Sequence, residues 1–267
     1  MSESLPSPTE KLTARVEGQI GWLILDNPAR RNALTLAMWQ AVPKLVAALE
    51  RHRDVRVIVV RGAGDGPFAS GADISEFETV RATAAGARAY EAVNGEAFDA
   101  LCHAAKPTIA MIRGFCLGGG LGLALATDLR IAGASAEFGI PAGRLGVGYP
   151  PGAMAQVVAA LGPMRAKELF FTARRVKADE ALALGLLTRV VDDTTLEADV
   201  TQAAELIAGN APLTLKAAKA AINAAAGLGT ADAGTLGALA DACFDSADYA
   251  EGRTAFLEKR PPLFKGA

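Results

Sequence analysis

Two glycine-containing loops are the segments of this sequence whose residue types could support chemistry. They read Phe68-Ala69-Ser70-Gly71-Ala72-Asp73-Ile74 and Gly118-Gly119-Gly120-Leu121-Gly122. Each follows a predicted buried strand, and the second opens an apolar helix, whose first turn presents unpaired N–H groups. Two such backbone donors can converge on one oxygen and form an oxyanion hole, which would suit a thioester enolate. The alternative is a pair of tight strand-to-helix turns without any chemistry.

Several common catalytic and binding motifs are absent from the sequence. It contains neither the phosphate-loop pattern GxxxxGK(S/T) nor a GxGxxG triplet followed by an acidic residue about 20 positions later. The pattern GxSxG is also missing, which removes the commonest α/β-hydrolase interpretation. The three cysteines, Cys102, Cys116 and Cys243, show neither metal-ligand nor disulfide spacing. We therefore expect no metal and a reducing, cytoplasmic location.

Composition and charge are those of a globular protein with no strong attraction to charged polymers. The chain has 267 residues, 51% of them hydrophobic, and a net charge of -2. This balance argues against nucleic-acid or anionic-membrane binding, because both need clustered Lys and Arg. The longest apolar stretch, around 117–134, contains Asp128 and Arg130 and is too polar to span a membrane. Residues 1–10 are polar and contain proline, so we expect a disordered N-terminus rather than a signal peptide.

The order of the hydrophobic patterns predicts an α/β core followed by a helical segment. Strand patterns occur at 11–17, 20–26, 55–60 and 108–112, and helical patterns occur at 36–51 and 80–104. Strands that alternate with glycine loops and helices are typical of stacked βαβ-like units. After about residue 195 the strand patterns stop, and Ala- and Leu-rich helices are predicted at 195–209, 212–227, 231–247 and 248–259. We therefore predict a core over 11–195 and a helical module over 196–267 that packs on the core or on another subunit.

Six short segments, in this order along the chain, resemble the signatures of the crotonase superfamily, the enoyl-CoA hydratase/isomerase family. Besides the two glycine loops at 68–74 and 118–120, they are Arg31-Asn32-Ala33-Leu34, Thr127-Asp128-Leu129-Arg130-Ile131-Ala132, Glu137-Phe138-Gly139-Ile140-Pro141 and Ala183-Leu184-Gly185-Leu186-Leu187. They occur in the family's order and at the family's spacing. The resemblance runs from about residue 12 to the end of the chain, where 256–260 is similar to the family's closing segment.

This resemblance implies a fold, a substrate class and an assembly. The fold would be a spiral of stacked ββα turns with a C-terminal α-helical trimerisation module. The substrate would be an acyl-CoA thioester, and no cofactor is expected besides that coenzyme A ester. The backbone N–H groups of Ala72 and Gly119 would form the oxyanion hole that holds the thioester oxygen. The partner would be the same chain, in a trimer or a dimer of trimers.

The resemblance also implies where coenzyme A would lie. Contacts to its adenine and pantetheine parts would come from the first glycine loop, from the segment before residue 31 and from the C-terminal helix. The implied contacts are the backbone around Ser70, Ala72, Asp73 and Ile74, together with Arg30, Phe256 and Lys259. Lys259 could meet a phosphate by charge attraction, or it could be an ordinary solvated charge on a helix.

The sequence departs from the family where the hydratases carry their acids. Family hydratases use two glutamates, whose positions are Gly122 and Ala142 here. Family isomerases carry a carboxylate near Pro150 instead, and Pro151 follows, so that base is missing too. Neither glycine nor alanine can transfer a proton. Ordinary hydration and isomerisation are therefore in question, while binding of the thioester and stabilisation of its enolate are not.

Three ionisable residues remain as candidates near the acyl group. Tyr149 lies in a segment similar to one in family members that decarboxylate methylmalonyl-CoA; it could orient a carboxylate or lie near the proton path, or be merely structural. Arg144 could bind an acyl carboxylate or pair with Glu137 or Asp73. Glu137 could approach the pocket or be an ordinary salt-bridged carboxylate.

Three functions stay open at this stage. The first is a lyase-type enzyme that stabilises a CoA enolate, hydratase-like by resemblance. The second is a malonyl-type decarboxylase, a comparison that is imperfect because the histidine of those enzymes is replaced by Ala72. The third is a non-catalytic acyl-CoA-binding homologue. His52 and His103 are not expected to be catalytic, since neither has a partner suggested by the sequence.

Overall fold

The molecule is described from a computed structural model, which covers residues 2–149 and 151–267. The strands are β1 Ser2–Leu5, β2 Leu12–Glu17, β3 Ile20–Leu25, β4 Val57–Gly62, β5 Thr108–Ile112, β6 Phe115–Leu117, β7 Leu129–Gly133, β8 Glu137–Gly139, β9 Val176–Lys177 and β10 Arg189–Val191. The helices are α1 Leu36–Arg51, α2 Phe77–Val80, α3 Ala84–Cys102, α4 Gly119–Leu125, α5 Ala142–Leu145, α6 Pro151–Thr172, α7 Ala178–Leu184, α8 Leu196–Ala208, α9 Pro212–Ala225, α10 Ala233–Phe244 and α11 Ala247–Glu258.

The larger sheet determines where the loops after its strands lie. Its strand order is β1-β2-β3-β4-β5-β7-β10. The first pairs, β1 with β2 and β2 with β3, are antiparallel, and the pairs from β3 through β10 are parallel. Every residue of β4 and β5 is buried. Such continuous apolar runs are expected of parallel strands that are covered on both faces.

A second, smaller layer stacks successive turns of the chain beside this sheet. Its strands are ordered β6-β8-β9, and two isolated parallel bridges, Leu34 with Ala72 and Ala69 with Cys116, continue the pairing to earlier turns. Each turn therefore hydrogen-bonds to the next one along the chain. This arrangement is the predicted spiral of stacked turns, and it brings the ends of successive turns to one side of the molecule.

The hydrophobic core lies on both faces of the larger sheet. One cluster joins α1, α3 and α4 to the sheet and contains the large buried side chains Trp39, Phe68 and Phe138. The other cluster covers the opposite face with α8, whose Leu196 and Val200 are fully buried. Helix α8 thus contributes to the core, although the sequence pattern placed it in the C-terminal module.

The N-terminus is ordered where the sequence analysis expected disorder. Residues 2–5 form β1, which pairs antiparallel with the edge of β2, Ser2 opposite Glu17 and Leu5 opposite Ala14. The prediction of a disordered segment over 1–10 is therefore wrong for these residues. The strand is held by backbone hydrogen bonds, and its side chains are mostly exposed. A prediction that depends on apolar burial misses a strand of this kind.

A partly buried ion pair attaches α9, one of the C-terminal helices, to the sheet. The Nζ atom of Lys219, on α9, lies 2.8 Å from Asp128 Oδ2. The same carboxylate oxygen accepts hydrogen bonds from the Thr108 backbone N–H at 2.7 Å and from its hydroxyl at 3.0 Å. Asp128 therefore links β5, the start of β7 and α9.

Among the described residues, no helix is long and apolar enough to cross a membrane.

We predict that Lys219→Met destabilises the protein by about 2 kcal/mol, because Asp128 would keep a partly buried charge without its partner. Urea unfolding followed by circular dichroism measures the change in the free energy of unfolding. Lys216→Met, at an exposed position of the same helix, is the matched control and should change that free energy by less than about 0.5 kcal/mol. Equal effects of the two substitutions would contradict the importance of this ion pair.

Candidate active site

The two glycine loops meet, and their backbone N–H groups face a common space. A Cβ atom placed on Gly119 would lie 3.7 Å from the Ala72 nitrogen, and one placed on Gly71 would lie 4.0 Å from the Gly119 nitrogen. Neither the Ala72 N–H nor the Gly119 N–H donates a backbone hydrogen bond among the described residues. Both groups line the same cavity. Two free donors at one point have the arrangement that an oxyanion hole requires.

Backbone pairing fixes these loops relative to each other. Ala69 N–H donates to Phe115 O at 2.9 Å, and Leu117 N–H donates to Ala69 O at 3.0 Å. On the other side, Leu34 N–H donates to Gly71 O at 2.8 Å. Gly71 has a φ of +114°, a conformation that residues with a Cβ rarely adopt. The glycine therefore lets the chain turn so that the next N–H, that of Ala72, stays free.

The cavity beside these donors has about 260 Å³ of internal space and is walled mainly by apolar groups. Trp39 from α1, Phe77 from α2 and Phe98 from α3 line one part of it. Leu145 and Val147, from the segment around α5, line another. A mostly apolar cleft with a few polar groups is the usual form of a small-molecule site.

Aromatic side chains occupy the space that an acid at position 122 would need. A Cβ atom on Gly122 would lie 2.8 Å from Phe98 Cζ. The Phe98 ring packs edge-on against Trp39, with 5.5 Å between ring centroids. The Trp39 Nε1–H in turn donates to the Tyr90 hydroxyl at 2.9 Å. The Phe98 ring thus fills the space that a glutamate side chain at position 122 would occupy.

Helix α3 supplies a polar wall that the sequence analysis did not identify. Glu91, Asn94 and Asp99 line the cavity, and so does Arg81 from the turn before α3. Arg81 Nη2 lies 2.8 Å from Glu91 Oε1, and its guanidinium carbon lies 5.0 Å from the centre of the Tyr90 ring. The available signal was that these polar groups recur within about two turns of one helix, at 91, 94 and 99, but a solvated helix face shows a similar pattern.

Tyr149 is the candidate that the structure places in the cavity. Its ring packs edge-on against Phe170, with 5.0 Å between centroids. Burial raises the pKa of Tyr149 to about 12, and the nearby positive charge of Arg81 opposes that increase. At neutral pH its hydroxyl is therefore protonated, so it is a hydrogen-bond and proton donor rather than a base.

The other two ionisable candidates lie elsewhere. Glu137, on β8, faces its cross-strand neighbour Lys177 and also pairs with Arg175 at 3.3 Å. The hydrogen bond from Lys177 is the main cause that lowers the pKa of the Glu137 carboxyl. Arg144 is exposed on α5, and neither Glu137 nor Arg144 is among the residues that line the cavity. Of the two alternatives for Glu137, the ordinary salt-bridged carboxylate is therefore the one that the structure shows. The approach of Glu137 or Arg144 to the acyl group is not supported, because strand pairing and helix orientation direct both side chains away from the cavity.

The predicted coenzyme A contacts divide into groups on the cavity and groups away from it. Ser70, Ala72 and Ile74 line the cavity. Ser70 Oγ donates to the carbonyl of Arg30 at 3.0 Å, and the Arg30 side chain is exposed beside it. Asp73 instead caps the short 3-10 helix Ile74–Glu76, since its Oδ1 accepts from the Ser75 N–H at 3.1 Å. The Asp73 carboxylate thus accepts a hydrogen bond within its own loop.

The other two residues predicted to contact coenzyme A, Phe256 and Lys259, do not line the cavity of their own chain. Phe256 is 83% exposed on α11, and Lys259 is exposed just after that helix. Their contact with coenzyme A stays a prediction that requires a second subunit. The isomerase-base position, Pro150, lies outside the described residues.

Comparison with known proteins gives the family of this chain. Residues 15–267 match the family model for enoyl-CoA hydratase/isomerase. A short-chain-enoyl-CoA hydratase of Clostridium acetobutylicum is 35% identical over 246 residues, which cover 91% of this chain and 93% of the relative. A crotonyl-CoA hydratase of Syntrophomonas wolfei is 34% identical, with 96% and 98% covered.

Solved structures are similar to this chain and indicate the same family. A crystal structure described as an enoyl-CoA hydratase/carnithine racemase from Magnetospirillum magneticum superposes with a TM-score of 0.91 at 37% identity, covering 98% of this chain and 97% of that one. The chain therefore belongs to the enoyl-CoA hydratase/isomerase family, within the crotonase superfamily. The family and the α/β spiral fold predicted from the sequence are confirmed.

We predict that Gly122→Glu destabilises the protein by about 1–3 kcal/mol, because its Cβ overlaps Phe98 in a packed core. Gly122→Ala should show most of the same cost. Phe98→Ala alone should cost about 3 kcal/mol through the cavity it leaves. Urea unfolding of the single and double variants forms a cycle, and the double variant Gly122→Glu/Phe98→Ala should cost clearly less than the sum. Additive effects would contradict the direct overlap.

A second prediction concerns alkaline pH. The Tyr149 phenol ionises at about 12 in the folded protein and at 10.0 in an unperturbed chain. Between these values the unfolded state releases the proton first, so stability falls as pH rises from 10 toward 12, by up to about 1.4 kcal/mol per pH unit. Tyr149→Phe should make this decline shallower in urea unfolding measured from pH 9 to 11.5. Equal slopes in the two proteins would contradict the burial of this hydroxyl.

Proposed function

We propose that this protein is a lyase of the enoyl-CoA hydratase type that stabilises the enolate of an acyl-CoA thioester. The thioester oxygen would accept hydrogen bonds from the Ala72 and Gly119 N–H groups, and the acyl chain would enter the apolar cavity. The observation that carries the proposal is this pair of free donors at the mouth of the cavity. Removing one donor from such a site typically costs about 2.7–4 kcal/mol of transition-state stabilisation.

Proton transfer would use groups other than the two family glutamates. Position 122 is packed against Phe98, and Ala142 has no ionisable group. The Tyr149 hydroxyl lies in the cavity and is protonated at neutral pH, so it suits delivery of a proton to the enolate. Activation of water would need a base, and the carboxylates among the described lining residues are Glu91 and Asp99.

Charge in the cavity favours a neutral acyl group. Arg81 is the only cation among the described residues that line it, and Glu91 already neutralises that charge. A malonyl-type decarboxylase must hold an acyl carboxylate, which would meet Asp99 here without an unpaired cation. Decarboxylation is therefore the second candidate, favoured only by the neutral proton donor Tyr149.

The test is exchange of the α-hydrogens of butyryl-CoA in deuterium oxide, followed by mass spectrometry. We expect deuterium uptake, because Glu91 or Asp99 would remove the α-proton and Tyr149 would return a deuteron to the enolate. Uptake should fall at least tenfold in Tyr149→Phe, the loss typical of a general acid. The thioether S-butyl-CoA lacks the carbonyl oxygen and should bind roughly tenfold more weakly. Crotonyl-CoA hydration and carbon dioxide release from methylmalonyl-CoA are followed in parallel, with Glu91→Gln and Asp99→Asn tested for loss of hydration.

Each result has a defined meaning. Exchange without hydration would support enolate stabilisation and exclude a working water base. Carbon dioxide release would select the decarboxylase. Binding of butyryl-CoA without exchange would indicate a non-catalytic acyl-CoA-binding homologue, and equal affinity for thioester and thioether would overturn the oxyanion hole.

A homo-oligomer, either a trimer or a dimer of trimers, is part of the same proposal. The C-terminal helices expose large apolar side chains, with Phe244 63%, Phe256 83% and Leu257 79% accessible in the single chain. Exposed apolar surface of this extent is typical of an interface. A second copy could also bring Phe256 and Lys259 to coenzyme A. Cytoplasmic location stays a prediction, and some relatives are named as mitochondrial.

A further inference from the structure

A glycine in the middle of α3 faces the cavity. Gly95 lines it together with Glu91, Phe98 and Asp99 from the same helix. These residues lie four positions before Gly95 and three and four positions after it. Residues with this spacing share one face of a helix, so a side chain at position 95 would point toward the cavity.

Neither backbone conformation nor packing requires a glycine at this position. Gly95 lies within α3 and is not among the described glycines with a positive φ. A Cβ atom built on it would have no heavy atom within 4 Å among the described residues outside its own helical backbone. Glycine is less favourable than alanine inside a helix, so the protein bears a cost where a methyl group would fit. What the glycine provides is free volume in the cavity.

This free volume lies between the reacting end of the cavity and an ion pair. One helical turn after Gly95, Phe98 packs against the helix that begins with the proposed oxyanion donor Gly119. One turn before Gly95, Glu91 pairs with Arg81 at 2.8 Å, and the two side chains are only 21% and 12% exposed. A straight apolar chain that ran past Gly95 would remove more water from this pair. The cavity therefore favours width beside Gly95 over further length.

The cavity is also larger than a short straight acyl group. It has about 260 Å³ of internal space. A water molecule occupies about 30 Å³ in the liquid and a methylene group is of similar size, so a four-carbon acyl group would fill roughly half of the cavity. The remaining space is available to a bulkier group.

The rings around this space favour an aromatic group. Phe77, Phe98 and Tyr149, from three different segments, line the cavity. Aromatic rings pair edge-on or offset, with about 4.5–7 Å between centroids, as the Phe98 ring does with Trp39 at 5.5 Å. A ring of the substrate beside Gly95 could make further contacts of this kind. Such a ring is also short and wide, as the space requires.

We propose that Gly95 determines the specificity of this enzyme: its bare helix wall admits an aromatic ring carried close to the thioester, and so selects aryl-substituted acyl-CoA esters over straight-chain ones. The inference rests on the proposed function, because it assumes that the acyl group occupies this cavity. It goes further by naming the class of acyl group and the residue that admits it.

The experiment compares the dissociation constants of butyryl-CoA, nonanoyl-CoA and 3-phenylpropanoyl-CoA by isothermal titration calorimetry. The last two esters have the same number of acyl carbons, so a difference between them reports the shape of the group. We expect 3-phenylpropanoyl-CoA to bind roughly tenfold more tightly than nonanoyl-CoA, which corresponds to about 1.4 kcal/mol. Tighter binding of nonanoyl-CoA would mean that the cavity selects length, and would overturn the inference.

Two substitutions at position 95 and a matched control test the role of the glycine. Gly95→Leu should remove most of the preference for the ring, because its side chain would take up the ring's space, and Gly95→Ala should remove part of it. Ala89→Leu also enlarges a side chain of α3, at an exposed position that does not line the cavity, and should keep the preference. Equal losses in Gly95→Leu and Ala89→Leu would contradict a specific role of Gly95.

Stability separates binding from folding. Because a methyl group at position 95 meets open space and replaces a glycine inside a helix, Gly95→Ala should unfold at a higher urea concentration than the parent. Unfolding at a lower concentration would show that the wall is not bare, and would overturn the inference.

The parent protein distinguishes this inference from the proposed function. Binding of butyryl-CoA with exchange of its α-hydrogens, but without a preference for 3-phenylpropanoyl-CoA over nonanoyl-CoA, would overturn the inference and leave the proposed function intact. Failure to bind any of the three esters would overturn both.

Discussion

The pairing of Ala69 with the strand around Cys116 is the constraint on which the rest of the site depends. Two hydrogen bonds, at 2.9 and 3.0 Å, join the turn after β4 to the turn after β5. Because the two parent strands are parallel neighbours, their following loops leave the sheet at the same edge. The pairing then leaves the N–H groups of Ala72 and Gly119 beside each other. The position of these two free donors is thus a product of backbone geometry.

Much of the fold could be predicted from local patterns. Helix α1 and strand β5 have the bounds that the periodicity predicted, 36–51 and 108–112, since each has a strong repeat and clear capping or turn residues. Strand β1 was missed because backbone pairing, rather than apolar burial, holds it. Helix α8 was identified, but whether a helix packs on the sheet or on another subunit depends on tertiary contacts that its own sequence does not encode.

The site was predictable where the backbone carries the chemistry and less so where side chains carry it. The glycine loops and Tyr149 line one cavity, as the sequence led us to expect, while their roles in chemistry stay predictions. The sequence left two alternatives open for Glu137, since a pattern along the chain does not show that Lys177 lies opposite it. The polar wall of α3 was missed because Arg81, Glu91 and Asn94 resemble a solvated helix face until the fold turns them toward a cavity.

The contact between Phe98 and position 122 makes a larger side chain at position 122 difficult to introduce one step at a time. A side chain at 122 meets the Phe98 ring 2.8 Å from its Cβ, and removal of the ring first would leave Trp39 without its edge-on partner. Both single-substitution variants, the one with a side chain at position 122 and the one without the Phe98 ring, would therefore be poorly packed. For a sequence that changes by single substitutions, the ring is therefore a steric barrier at position 122, and a new acidic side chain is easier to accommodate at another wall of the cavity.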